Sequence, residues 1–270
     1  MDAQYSDHAD DSRSLLRGKN ILVTGASNGI GKAVSIEYAR QGATVILLGR
    51  TQRSLEGVYD EIKDYGYPEP AILLADLGEP GSDGFKNIGA SIASEFERLD
   101  GILHNAADLG LLTPLENYDD LLWDHVMQVN LKAPLMVTQQ CLPLLKAAEY
   151  ASIVFTTEAS GRVPKGYWGG YGISKAALIH MARMWAIEYA KTRIRVNVVD
   201  PGPCRTGLRL LSHPGMSMKT YPPPEAITTA YVKLMSSEVL QHNGEIFDAR
   251  DWLDPERDDR TPEDVGESSS

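Results

Sequence analysis

The sequence is short of cysteine, of surplus positive charge, of long apolar runs and of paired histidines, and each shortage removes a class of protein. Two cysteines, Cys141 and Cys204, cannot frame a small disulfide-stapled secreted scaffold. Neither has a His-Asp arrangement nearby, which argues against nucleophilic cysteine chemistry. Lys and Arg number 26 against 37 Asp and Glu, a net charge of −11, whereas nucleic-acid-binding surfaces are basic. No window approaches the ~18 uninterrupted apolar residues of a membrane span. The opening MDAQYSDHADDSRS has no apolar segment of the secretory-signal kind. The six histidines, at 8, 104, 125, 180, 213 and 242, show no His-Glu-x-x-His-like pairing, so no metal site is expected. The expectation is a soluble cytoplasmic protein with neither nucleic acid nor membrane as partner.

What remains is 270 residues, 43% of them hydrophobic, ample for one large α/β domain. The charge is uneven. Residues 1–17 hold four acids and two arginines, and residues 254–270 hold seven and two, so −7 of the −11 lies at the ends. Both ends lack hydrophobic periodicity and read as loosely attached acidic tails around one domain over 18–253. Within that domain short apolar runs alternate with longer amphipathic stretches. Strands are expected at Asn20–Thr24, Thr44–Leu48, Ala71–Ala75, Gly101–His104, Ser152–Thr156, Arg195–Val199 and Glu245–Phe247. Helices are expected at about 30–41 (with Gly42 at its C-cap), 52–65 and 171–190, and one contains 131–145. Continuous Val/Ile/Leu runs without alternation mark strands covered on both faces. The rhythm is that of a doubly wound Rossmann-type α/β fold, a parallel sheet flanked by helices on both faces.

The first strand runs into Thr24-Gly25-Ala26-Ser27-Asn28-Gly29-Ile30-Gly31. Glycines at this point let the backbone turn tightly and approach a pyrophosphate whose charge meets the helix N-terminus. The spacing Gly-xxx-Gly-x-Gly differs from the common dinucleotide fingerprint. It resembles the short-chain dehydrogenase/reductase superfamily in its shorter single-domain form, and the resemblance extends over about residues 18–250. The second strand ends Gly49-Arg50-Thr51, with no acid before Glu56. An acid there would bind a ribose 2′-hydroxyl, while Arg50, aided by Ser27 and Thr51, suits a 2′-phosphate, so NADP is expected over NAD. The resemblance implies further cofactor contacts: Asp76 and Leu77 towards the adenine, Asn105-Ala106 after the fourth strand, and Pro201-Gly202 with Thr206 at the nicotinamide end. Ala107 stands where the family has glycine, which is tolerable if φ is negative there.

Tyr171-Gly-Ile-Ser-Lys175 places a phenol and an ammonium on one helix face. The ammonium favours phenolate, which suits a tyrosine that exchanges a proton with a substrate oxygen while hydride moves at carbon. Tyr59 and Lys63 share the spacing and are read as an exposed helix face. The resemblance assigns Asn130 to a proton relay and puts the carbonyl-polarising serine thirteen residues before Tyr171. That position is Glu158. Three readings stay open: a protonated Glu158 that donates, a shifted loop in which Thr157 or Ser160 serves, or an impaired site. His104 reads as a buried, hydrogen-bonded histidine, and 208–224 as either a flap over the substrate or an ordinary surface loop.

The sequence thus points to an NADP-dependent oxidoreductase for a small carbonyl or secondary alcohol, with Tyr171, Lys175, Asn130 and Glu158 as its catalytic set. The alternative is a catalytically impaired NADP-binding or interaction protein on the same fold. Helices 131–145 and 171–190 are apolar on more than one face, and the resemblance implies a four-helix seam, hence a homodimer or homotetramer.

Overall fold

The computed structural model describes residues 14–79, 81 and 83–261. Seven parallel strands form one sheet: β1 Asn20–Thr24, β2 Thr44–Gly49, β3 Ala71–Leu74, β4 Gly101–His104, β5 Ala151–Thr156, β6 Ile194–Asp200 and β7 Ile246–Asp248. Their order is β3-β2-β1-β4-β5-β6-β7. Each strand expected from the sequence is present, with ends shifted by two residues at most.

The apolar runs are continuous because neighbouring residues feed opposite faces. Leu22, Ile46, Leu48, Ile102, Phe155 and Val196 belong to a core under α3 (Gly84–Glu95), α5 (Ala133–Ala147) and α6 (Gly169–Glu188). Ile21, Val23, Val45, Leu47, Val154 and Val199 belong to a second core under α1 (Gly29–Arg40), α2 (Gln52–Asp64) and α8 (Thr228–Met235). Both layers are therefore built from alternate residues of the same short words.

Sequence order reverses between β1 and β4, which pair from Ile21↔Gly101 to Thr24↔His104. In doubly wound sheets the chains leaving two such strands diverge to opposite faces and open a crevice beyond their carboxyl ends. Gly42 ends α1 with φ +88, and a Cβ there would lie 3.0 Å from Arg17 Cα. The expected C-cap glycine is thus required twice, by its dihedral and by close approach.

The domain extends past both limits read from the sequence. Leu16 is fully buried in the second core, and its N–H donates to Gln41 O at 3.0 Å. Beyond 253, Asp254 N donates to Ala226 O at 2.8 Å, Arg257 pairs with Glu37 at 2.9 Å, and Arg205 pairs with Asp259 at 2.8 Å. Burial pushes the Glu37 carboxyl upward, but Arg40, Gln41 and Arg257 together hold it below the usual carboxylate range. An acidic composition hid these residues because single side chains of either sign dock, Arg257 on Glu37 and Asp259 on Arg205. The rest of the expected tails, 1–13 and 262–270, lies outside the described residues.

Candidate active site

A cleft of about 500 Å³ opens over the carboxyl ends of the strands, at the β1/β4 switch point. Gly25, Ser27, Asn28, Gly29 and Ile30 form one wall. Gly25 (φ +67) and Gly29 (φ +52) take left-handed backbone. Gly31 lies behind that wall: a Cβ on it would stand 2.1 Å from Gly25 O, so α1 starts directly against the loop. Thr24 Oγ1 accepts from Asn105 N at 3.0 Å and Ala106 N at 3.1 Å, fastening the end of β4 to the glycine loop. Asn105 and Ala106 line the cleft. Among the described non-glycine residues only Tyr167 has positive φ, so Ala107 carries its extra methyl without strain.

Arg50 stands exposed at the end of β2 and lines the cleft, as do Asp76 and Leu77 after β3. Asp76 Oδ1 accepts from Gly78 N at 2.8 Å. Thr51 begins α2 and does not reach the cleft lining. On the opposite wall are Pro201, Gly202 and Thr206, and Thr206 caps α7 (Gly207–Ser212) by accepting from Arg209 N at 3.1 Å.

Tyr171 and Lys175 project from α6 into the same cleft, 4% and 2% exposed. Lys175 Nζ donates to Thr156 O at 2.9 Å and lies 5.6 Å from the Tyr171 ring centroid. Burial is the largest influence on both. It lowers Lys175 to about 8, against a smaller opposing pull from Glu158, and it raises Tyr171, a rise that Glu158 and Asp200 reinforce. Asn130 lies outside the cleft lining, on a π-helical turn over Gln128–Lys132 between α4 (Asp120–Met127) and α5. Its amide accepts from Asp108 N at 2.8 Å and donates to Asp108 O at 2.8 Å and Ser174 Oγ at 3.0 Å. It ties the loop after β4 to α6 from behind. Single π-turns recur at functional sites, where the extra residue re-aims a side chain.

Glu158 lines the cleft but turns its carboxylate on its own loop, accepting from Ser160 N at 2.8 Å and from Ser160 Oγ. That caps the short turn Ala159–Gly161 and commits the Ser160 hydroxyl. Thr157 Oγ1 is buried, without a partner, in the cleft lining.

Several lining residues carry no motif and escaped the sequence reading. Asp200, 2% exposed at the end of β6, accepts from Gly202 N at 3.0 Å and faces Arg162 at 3.5 Å. Trp168 packs 5.8 Å from Tyr171 with Lys165 and His213 against its ring, and Arg209 lines the same side of the cleft. Of the stretch 208–224, Leu208, Arg209, Ser212 and His213 line that side of the cleft. His104 is buried, bonded to Thr138 Oγ1 at 2.8 Å and stacked 4.8 Å from Phe155. Tyr59 and Lys63 both bond Glu69 on the surface of α2. Cys141 and Cys204 are free, buried, and raised to about 12 by burial.

The model of the short chain dehydrogenase family matches residues 19–214. The chain belongs to that family. Among short chain dehydrogenases it is 38% identical over 248 residues to the uncharacterized oxidoreductase YciK of Escherichia coli (strain K12), covering 92% of this chain and 98% of that protein. It is 34% identical over 191 residues to the 3-oxoacyl-[acyl-carrier-protein] reductase FabG of Thermotoga maritima, covering 69% and 74%. A solved short chain dehydrogenase from Escherichia coli CFT073, complexed with NADPH, superimposes with a TM-score of 0.85 at 39% identity, over 88% of this chain and 99% of that one. Another from Shigella flexneri 2a, complexed with NADP, gives 0.85 at 38%, over 88% and 99%. The short-chain dehydrogenase family places the protein among oxidoreductases.

Proposed function

We propose that the protein is an NADP-dependent oxidoreductase that moves hydride between the nicotinamide and a carbonyl or secondary-alcohol carbon of a small substrate. One observation carries this reading: Tyr171 and Lys175 lie buried in the same cleft whose far end is the glycine loop and Arg50. The cradle fits a dinucleotide, since a side chain at Gly25 or Gly31 would collide with backbone at 2.9 and 2.1 Å. Gly25, Ser27, Asn28, Gly29 and Ile30 would hold the pyrophosphate with backbone N–H groups at the start of α1, with Gly31 packed beneath them. Asp76, Leu77, Asn105 and Ala106 would flank the adenosine half, and Pro201, Gly202 and Thr206 the nicotinamide half. NADP over NAD rests on Arg50 with Ser27, the lack of an acid at the end of β2, and the NADP and NADPH complexes of the structural neighbours.

When bound, the cofactor supplies or takes the hydride. Tyr171 then gives its phenolic proton to the substrate oxygen as that hydride reaches carbon, or takes the proton back in oxidation. Lys175 steadies the phenolate, and Asn130 holds the loop after β4 against α6. Glu158 offers the substrate no donor in its present hydrogen bonds, so Tyr171 acts without a serine beside it. That favours, as a second reading, a weakly catalytic NADP-binding protein, because Glu158 also opposes phenolate formation at Tyr171. The exposed Ile173, Met184 and Ile187 form one stripe on α6 and support a homodimer or homotetramer, to be read by light scattering. A cytoplasmic location is part of the same proposal.

The test is NADPH and NADH titration by fluorescence, followed by NADPH consumption against a panel of aldehydes and ketones. The expected result is tighter NADPH binding, with turnover that Tyr171→Phe abolishes. Tighter NADH binding overturns the cofactor choice. NADPH binding without turnover of any carbonyl moves the protein to the second reading.

A further inference from the structure

At the substrate end of the cleft, two separate segments bring cations to two aromatic rings, Trp168 and Tyr221. Lys165, in the loop between β5 and α6, places Nζ 4.8 Å from the Trp168 ring centroid. Arg209, in α7, stacks its guanidinium 4.5 Å over Tyr221 and donates from Nη2 to Tyr221 Oη at 3.0 Å. His213, at the end of α7, lies 5.9 Å from Trp168 with Nδ1 bonded to Ser212 Oγ at 2.9 Å. All three line the cleft that holds Tyr171. Among the described residues neither Lys165 nor Arg209 makes an ion pair. Arg209 goes further: its Nε–H is buried with no acceptor at all. A buried guanidinium N–H without a partner costs free energy that an anion would return.

Of the acids that line the cleft, Glu158 is the one that acts on His213, and it accepts from Ser160 N and Oγ, while Asp200 faces Arg162 and Asp108 faces His125. Lys165 and Arg209 outnumber Glu158 and leave this end of the cleft positive. His213 feels the same field, because burial first, then Arg209 and Lys165, hold it below the usual histidine range. Trp168 and Leu208 line the same cleft and pack with Leu109 and Tyr171 in one apolar cluster.

We propose that Arg209 and Lys165 form an anion subsite for the substrate, so that the protein acts on carbonyl compounds that carry a carboxylate or phosphate beyond a short apolar body. Arg209 lines the cleft with a guanidinium that no carboxylate pairs, and Lys165 adds a mobile point charge at the mouth. This rests on the oxidoreductase reading for the identity of the carbonyl compound, but not for the existence of the anion site.

The experiment uses the NADPH-loaded protein and two probes that differ chiefly in charge, 4-acetylbenzoate and its methyl ester, in which the ring separates ketone from carboxylate, measured by calorimetric binding and, separately, by NADPH consumption. 4-Acetylbenzoate is expected to bind about tenfold or more tightly than the ester. Arg209→Met brings the two within about twofold, Lys165→Met gives a partial loss, and Arg209→Lys retains most of the preference, which separates charge from folding. Equal affinity for the two probes in the unmodified protein, or failure of both to bind, overturns the subsite. A loss of NADPH affinity in Arg209→Met as large as the loss for 4-acetylbenzoate also overturns it, by assigning Arg209 to the phosphates of the cofactor. Charge-selective binding with no NADPH consumed leaves the subsite standing and removes the oxidoreductase reading instead.

Discussion

Glycine-to-alanine exchange at two positions should move this protein in opposite directions, and the structure says by how much. At Gly31 an added methyl would sit 2.1 Å from Gly25 O and 2.7 Å from Asn105 Nδ2, where ordinary contact begins at 3.4 Å. The nearest obstacle is backbone, and α1 cannot pivot away freely because Ser35 Oγ holds Gly31 O at 2.7 Å. Relief requires the loop and the helix to part by roughly 1 Å, which in a packed interior costs about 3 kcal/mol. For a domain of this size that is a fall of roughly 6–12 °C in Tm. The same displacement spoils the pyrophosphate cradle, and ~1 Å of misplacement at a positioned site weakens it about a hundredfold. Gly57 is the control. It lies inside α2 with nothing within 4 Å of the added methyl and no left-handed φ. There alanine should add about 0.5–1 kcal/mol by restricting the unfolded chain. Differential scanning fluorimetry of both variants, with NADPH titration of the folded proteins, decides the matter. A Gly31→Ala protein that melts with the unmodified chain and binds NADPH normally would refute the steric argument, and a Gly57→Ala protein that loses stability would refute the entropic one.

Four other outcomes follow from the site. Lys175→Met should abolish turnover yet raise stability at pH 7 by about 2 kcal/mol, since burial holds this lysine at about 8 against an ordinary 10.5 and the charge is carried at a penalty below that point. The penalty fades as pH rises from 8 to 10.5, so urea midpoints of the two proteins should converge over that window. His104 is lowered by burial to about 3, so the unfolded chain takes up a proton below pH 6.5 that the folded one refuses. Stability should fall by about 1.4 kcal/mol per pH unit on acidification below about 6, and His104→Gln should flatten that slope. In the alcohol-oxidising direction Glu158→Gln should carry the acid limb of the pH profile to lower pH, because the lost carboxylate had raised Tyr171; an unmoved limb contradicts this. Arg50→Asp should weaken NADPH about a hundredfold and strengthen NADH, read by fluorescence titration.

Much of this was legible in the chain because parallel strands are buried on both faces and spell themselves as uninterrupted words. Asn20–Thr24 and Gly101–His104 were found to the residue. Helix α3 was missed although Phe85, Ile88 and Ile92 keep helical spacing, since GFKNIGASIASE mixes two glycines and three serines or asparagines, poor helix formers, into its turns. In the site, the glycine loop, Tyr171 and Lys175 were readable because their chemistry demands fixed spacing. Thr51 was named with Arg50 but lies outside the cleft lining, because the chain already turns into α2 there, with Thr51 at its N-cap. Asp200, Trp168, Lys165, Arg209 and His213 reach the cleft from three separated segments, and no local spacing connects them. Glu158 stood out as a residue, whereas its turn back onto Ser160 is a matter of rotamer and loop geometry that composition does not encode.

The strand order also governs how the chain can be assembled in time. β1 finds its first neighbour, β2, about 24 residues downstream, but its second, β4, only about 80 residues on. Parallel pairing over that separation carries a large loop-closure cost before any contact rewards it, so it belongs among the slow steps of folding. The crevice at the switch point is defined by this late pairing. During synthesis the glycine loop would emerge long before the strand that completes its other side, and it would wait with an open sheet edge on β1. A nucleotide could stabilise the finished domain by mass action but could not template its beginning, because the two halves of its cradle meet only when the middle of the chain has arrived.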